Sequence, residues 1–187
     1  MIDQLVNAMR ACGDDLVAHG FRVADLAVKL GRHLGIDDAS LTHLSIAGVL
    51  HDVGKVGVEA GVLGKPGPLN HIERRQMEHH PRFGRALLHH QVHPRVAEAV
   101  FSHHERFDGL GYPRRLAGTE IPFLARILLV VDAFDAMTSD RCYQAARSAE
   151  AAFDELMVYA GTQFDPEVVV AFLEAVDVEP SIVIQVA

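Results

Sequence analysis

Two doublets place ligand-type side chains where the surrounding sequence offers no solvated face. His51 and Asp52 sit among Val49, Leu50 and Val53, and His103 and His104 close the apolar stretch "VAEAVFS". A buried aspartate is costly unless it is paired or coordinates a metal. A histidine at a helix end can also be purely structural, satisfying the dipole there, and each doublet alone allows that explanation. It weakens as such residues accumulate: Asp132 lies inside the apolar run "LLVVDAF", and His19 and His80 add two more imidazoles. The set of His19, His51, Asp52, His80, His103, His104 and Asp132 exceeds the four ligands of tetrahedral zinc and the six of one octahedral ion. Two divalent ions bridged by a carboxylate are the economical arrangement, with Asp52 as the bridge. Imidazole and carboxylate donors without thiolate favour iron or manganese. Two such ions suit phosphoester hydrolysis, one activating hydroxide while both stabilise the charge of an in-line transition state. Lys55, four residues after His51, brings a cation to the same place.

These residues need helices to bring them together. From Leu16 to Leu34 the apolar residues recur at three-to-four spacing, which predicts an amphipathic helix carrying His19, with Asp14 or Asp15 as its N-cap. "LTHLSIAGVLHDVG" is apolar on nearly every side and predicts a buried helix ending near Gly54, with His51 and Asp52 in its last turn. Asn70 caps the next helix through Met77, and His79, His80 and Pro81 mark a junction. Helices follow from about Arg82 to His90 and from Pro94 to about His104, the latter opened by its proline. "IPFLARILLVVDAFDAMTS", "SAEAAFDELMVYAG" and "DPEVVVAFLEAV" give three more. "SIVIQV" near the end reads as a short strand or a tail. The fold class is therefore all-α.

A chain of 187 residues, 49% hydrophobic and 22% charged, fits a single globular domain. It lacks an apolar run long enough to span a bilayer, and its N-terminus lacks the pattern of a signal peptide, so the expected location is the cytoplasm. Cys12 and Cys142 form no CxxC pair and no disulfide framework. A net charge of -8 disfavours bulk nucleic-acid binding, so a phosphate ligand would need local cations.

The chain resembles the HD-GYP phosphodiesterases, a branch of the HD metal-dependent phosphohydrolases. The likeness rests on "HGFRVA" from His19, "LHDVGKVGV" from Leu50, "KPGPL" from Lys65, "MEHHPRFGRALL" from Met77, "HHERFDGLGYP" from His103, "IPFLARILLVVDAFDAMTSDRCY" from Ile121 and "GTQFDPEVV" from Gly161. It implies an HD-domain helical core with additional C-terminal helices over residues 15–176, flanked by an N-terminal extension, 1–14, and a C-terminal tail, 177–187. It implies hydrolysis of cyclic di-GMP to linear pGpG, GMP or both, in bacterial signalling. It matches His19, His51, Asp52, His80, His103, His104 and Asp132 to metal ligands, and Asp15 to the acid that joins the site in members with a third metal. It matches Asp52 and Lys55 to catalysis, and Lys55, Gly111, Tyr112, Pro113 and Arg141 to substrate contacts. The glycines after His104 would release the chain into a loop that approaches a phosphate closely. Glu105 and Asp108 fall to shaping that loop rather than to the metals.

The chain departs from the family pattern in places. Where members carry Arg-Pro-Tyr-Lys or Arg, it has Arg141, Cys142, Tyr143 and Gln144, so one phosphate-binding cation is missing. Arg114 and Arg115 follow Pro113 where a glycine is usual at the second position, and Val58, Glu59 and Ala60 replace Ile-Pro-Asp. Family members carry a receiver or sensory domain upstream, which leads to the expectation of regulation through a protein partner or a homodimer. Two alternatives follow: a phosphodiesterase for another cyclic dinucleotide such as cyclic GMP-AMP, or an interaction module that binds a cyclic dinucleotide with little or no turnover.

Overall fold

A computed structural model describes residues 2–140 and 146–176. The fold is all-α; the one β-type contact among these residues is an isolated bridge between Ala160 and Phe164. The helices are α1 (Ile2–Arg10), α2 (Asp14–His33), α3 (Asp38–Leu50), α4 (Ala60–Leu63), α5 (His71–Met77), α6 (His80–Leu88), α7 (Pro94–Ser102), α8 (Phe123–Thr138), α9 (Ala149–Val158) and α10 (Pro166–Val176). None of them is long and apolar enough to cross a membrane. The "SIVIQV" segment and Arg141 to Gln144 lie outside the described residues.

Helix α2 packs lengthwise on α3 and against α8, while α7 lies against α3, α8 and α6. The core they share includes Leu30, Leu44, Leu50, Ile127 and Leu128, all inaccessible to solvent. Burying a side chain of this kind contributes about 1.5–3 kcal/mol. Phe134, Phe153 and Phe172 close the far end with ring centroids 4.8 to 5.6 Å apart, which fastens α9 and α10 to α8. Asn70 caps α5 as expected: its side chain accepts from the Ile72 and Glu73 N–H groups, while Glu73 accepts from the Asn70 N–H.

Two local expectations are corrected. The N-cap of α2 is Gly13, without a side-chain bond, and Asp14 and Asp15 fall in the first helical turn, where their charges favour the positive end of the dipole. Within the expected 1–14 extension, α1 buries Leu5 and Met9 in the common core. The α3 helix stops at Leu50 rather than Gly54, and a 3₁₀ turn over Val53–Gly57 follows. Gly54 explains the tight descent: a Cβ there would stand 1.9 Å from the His80 carbonyl oxygen. The turn thus presses against the start of α6 and brings His51, Asp52 and His80 close together. Val58 to Ala60 lead into the one-turn helix α4, with Glu59 at its N-cap.

Candidate metal centre

The seven predicted imidazoles and carboxylates arrive from five helices. His19 comes from within α2, His51 and Asp52 from the end of α3, and His80 from the first residue of α6. His103 and His104 follow α7, and Asp132 comes from α8. Donor atoms of Asp52, His80, His103 and His104 lie within 4.8 Å of one another, and so do those of His19, His51 and Asp132. Asp52 faces both groups, with Oδ1 3.3 Å from His80 Nε2 and Oδ2 3.4 Å from His51 Nε2. Asp132 Oδ1 stands 3.0 Å from His19 Nε2 and 3.8 Å from His51 Nε2. Asp15 is exposed and belongs to neither group.

The hydrogen bonds behind the rings test whether divalent ions fit. His51, His80 and His103 each turn Nδ1 to a carbonyl three residues back: Gly48 at 2.7 Å, Met77 at 2.8 Å and Val100 at 2.6 Å. A carbonyl only accepts, so Nδ1 carries the proton and Nε2 of each neutral ring is a bare lone pair. His51 Nε2 is buried with no hydrogen-bond partner. His80 Nε2 and His103 Nε2 face each other at 3.2 Å, two lone pairs that need a cation between them. A second proton on either ring is disfavoured, since burial lowers the pKa of both. Burial, and then the charge of His80, pushes His104 down to about 3. Burial opposes charge on His51, but the Asp52 and Asp132 carboxylates outweigh it and raise its pKa. The donor set fits divalent cations, with the lone pairs of His80, His103 and His104 converging on a space that rejects protons.

His19 behaves differently. Burial opposes its charge, but hydrogen bonds to Asp132 and Asp135 outweigh this and raise it to about 9. Its Nδ1 lies 2.7 Å from Asp135 Oδ2, and Asp135 is gripped by Arg22 through Nε at 2.7 Å and Nη2 at 2.9 Å. Neither Arg22 nor Asp135 was among the predicted site residues. The available signal was spacing, Arg22 three residues after His19 and Asp135 three after Asp132, which puts each on the same helix face as its neighbour.

Lys55 donates to Asp52 Oδ2 at 2.5 Å, reaching it from the 3₁₀ turn rather than along a continuous α-helix. Tyr112 covers the opposite side, its ring 4.8 Å from that of His104 and its N–H donating to the His104 carbonyl at 3.1 Å. At Gly111 a Cβ would lie 2.2 Å from Arg106 N and 2.5 Å from His104 O, so its bareness lets the loop fold onto its own backbone. Glu105 and Asp108 are loop residues as expected: Glu105 accepts from the Arg114 and Leu116 N–H groups, and Asp108 from Leu110 N–H and the Arg106 guanidinium. Arg114 is committed to Glu98, to Ser102 Oγ at 2.7 Å and to the face of Phe101. In the free protein its guanidinium is held by these partners. Pro113 accepts from Arg82 through its carbonyl. Arg141 lies outside the described residues.

The model of the HD domain family matches residues 6–168. A cyclic di-GMP phosphodiesterase of Thermotoga maritima is 39% identical over 159 residues, 83% of this chain and 43% of that protein. A 3′3′-cGAMP-specific phosphodiesterase of Vibrio cholerae is 34% identical over 177 residues, 93% of this chain and 34% of the relative. The chain thus spans less than half the length of these relatives. The crystal structure of a cyclic GMP-AMP specific phosphodiesterase from V. cholerae superimposes with a TM-score of 0.70 at 20% identity, over 95% of this chain and 49% of that one, which is a likeness of fold.

Proposed function

Because the chain belongs to the HD domain family, and because unused imidazole lone pairs converge on a carboxylate that faces two groups of donors, we propose that it is a metal-dependent cyclic-dinucleotide phosphodiesterase acting on cyclic di-GMP. The carrying observation is the arrangement around Asp52, whose two oxygens address His80 on one side and His51 on the other. His19, His51 and Asp132 would hold one ion, and His80, His103 and His104 the other, with Asp52 shared between them. Iron or manganese suits these donors. Such ions supply Lewis-acid polarisation of a phosphodiester and acidify water.

The chain's own residues prepare that chemistry. Backbone carbonyls hold the His80 and His103 rings in the tautomer that presents Nε2, so no proton must leave those atoms before they bind. Lys55 is one-quarter exposed at the edge of Asp52, where its ammonium can exchange the carboxylate for a phosphate oxygen. Tyr112 and Pro113 wall the approach beside His104, and Gly111 holds them there by letting the loop close on itself. Arg141 is assigned to the substrate phosphate on the family resemblance alone.

The test is hydrolysis by anaerobically purified protein loaded with ferrous iron or manganese, offered cyclic di-GMP and 3′3′-cGAMP in parallel, with products identified by mass. We expect pGpG or GMP from cyclic di-GMP, and none from the Asp52→Ala variant. Faster cutting of 3′3′-cGAMP would transfer the assignment to that substrate, in line with the Vibrio relative's name. Binding without any cleavage in metal-loaded protein would make it a cyclic-dinucleotide sensor.

A further inference from the structure

One ring of the seven-residue centre is braced from behind differently from those of His51, His80 and His103, each of which faces a carbonyl. His80 and His103 direct Nδ1–H at the neutral carbonyls of Met77 and Val100. In the other group, His19 directs Nδ1 at a carboxylate, that of Asp135, at 2.7 Å. Asp135 is buried, and Arg22 engages both of its oxygens, through Nε at 2.7 Å and Nη2 at 2.9 Å. The bidentate fork fixes the plane of the carboxylate, and the carboxylate fixes the ring and tautomer of His19. A carboxylate behind an imidazole also raises the basicity of the far nitrogen more than a neutral carbonyl can. Arg22 keeps 47% of its side chain exposed, so its main contact is this fork rather than packing in the core.

On the metal-binding reading above, on which this rests, we infer that Arg22 and Asp135 are positioning residues that set the affinity of the His19–His51–Asp132 group separately from that of the Asp52–His80–His103–His104 group. Neither touches substrate or ion. They act through the orientation and proton of His19 alone.

The experiment is a titration of metal-stripped protein with manganese against a competing chelator, without nucleotide, so that the readout is occupancy rather than turnover. Wild type should bind two ions. Asp135→Asn should weaken one of them by roughly 10–100-fold and leave the other unchanged, as for the loss of a carboxylate behind a ligating histidine. Arg22→Gln should weaken the same ion by less. His80→Ala should weaken the other ion, so the Asp135→Asn, His80→Ala double variant should weaken both. The inference is overturned if Asp135→Asn changes neither affinity, changes both equally, or adds nothing to His80→Ala. Should Asp135→Asn fail to fold by circular dichroism, Arg22→Gln carries the same comparison from the surface. Wild type binding fewer than two ions would instead overturn the two-ion reading, an outcome distinct from any of these.

Discussion

The metal centre and the loop that follows it are built from the same material, buried polar side chains, yet they differ in what those side chains have left to give. In the loop the carboxylates of Glu105 and Asp108 are used. Glu105, 1% exposed, spends both oxygens on the N–H groups of Arg114 and Leu116 at 2.7 and 3.1 Å. Asp108 is taken by the Leu110 N–H and by Arg106, whose guanidinium also reaches Gln163. The loop backbone is then tied to the turn before α10, Phe107 N–H to Gln163 O and Asp108 N–H to Thr162 O. In the centre, His51 Nε2 has no partner and His80 and His103 point lone pairs at each other. A buried polar group that is fully satisfied stabilises one conformation; one left unsatisfied costs roughly 1–3 kcal/mol in the empty protein and is retained for what it binds. Satisfaction of hydrogen bonds thus separates the loop carboxylates from His51, His80 and His103, whereas Asp52, His19 and Asp132 are already partnered within the centre.

The largest effect should come from removing an unspent group. His51→Leu deletes the unpartnered Nε2 together with the Nδ1–H bond to Gly48. We expect metal retention and cyclic di-GMP hydrolysis to fall to background. Thermal unfolding of the metal-free variant should nevertheless stay within about 1 kcal/mol of metal-free wild type, because one hydrogen bond lost is offset by one buried unsatisfied atom removed. A metal-free His51→Leu protein destabilised by several kcal/mol would place His51 with Glu105, among groups whose work is structural.

Glu105→Ala should show the opposite pattern. It leaves two partly buried N–H groups without their charged acceptor, at a cost of about 3 kcal/mol. For a domain of this size that lowers Tm by roughly 6–12 °C. Metal stoichiometry should be retained, since Glu105 lies outside both donor groups. Loss of an ion in this variant would show that the loop and the centre are one unit and dissolve the contrast between them.

Much of this architecture was legible in the sequence, for identifiable reasons. Periodicity located α2, α3 and α8, because amphipathic spacing in α2 and all-round apolarity in α3 and α8 report packing directly. His51, Asp52, His103, His104 and Asp132 were legible because each ends or interrupts an apolar run, whereas His80 lies between Glu78 and Arg82 and entered only as a further imidazole. The brace behind His19 was not. Arg22 resembles any exposed arginine on an amphipathic helix, and Asp135 acquires meaning only when α8 crosses α2 and sets it 2.7 Å from His19. The close packing at Gly111 was hidden for a related reason: its neighbour is backbone five residues earlier in the same loop, a contact that composition cannot report. The end of α3 was misplaced by one turn because the 3₁₀ segment is dictated by the His80 carbonyl, supplied by a different helix.

Arg114 gives the smallest expected effect and the finest test of the boundary between the two regions. Its backbone N–H belongs to the loop, bound to Glu105, and any substituent other than proline preserves that bond. Its side chain adds an ion pair with Glu98, a bond to Ser102 Oγ and a guanidinium 4.9 Å from the Phe101 ring centre. A partly exposed ion pair is worth about 0–1 kcal/mol and an exposed cation–π contact about 0.5–1 kcal/mol. Arg114→Ala should therefore cost about 1 kcal/mol, a Tm shift of roughly 2–4 °C, with metal content, kcat and KM unchanged. The informative failure is kinetic. A raised KM at unchanged kcat and metal content would mean that the guanidinium leaves Glu98 for a substrate phosphate, supplying the charge that Gln144 does not. Arg114 would then be a spent group that the ligand can reclaim, and hydrogen-bond satisfaction in the free protein would mark the resting arrangement of the loop rather than its limit.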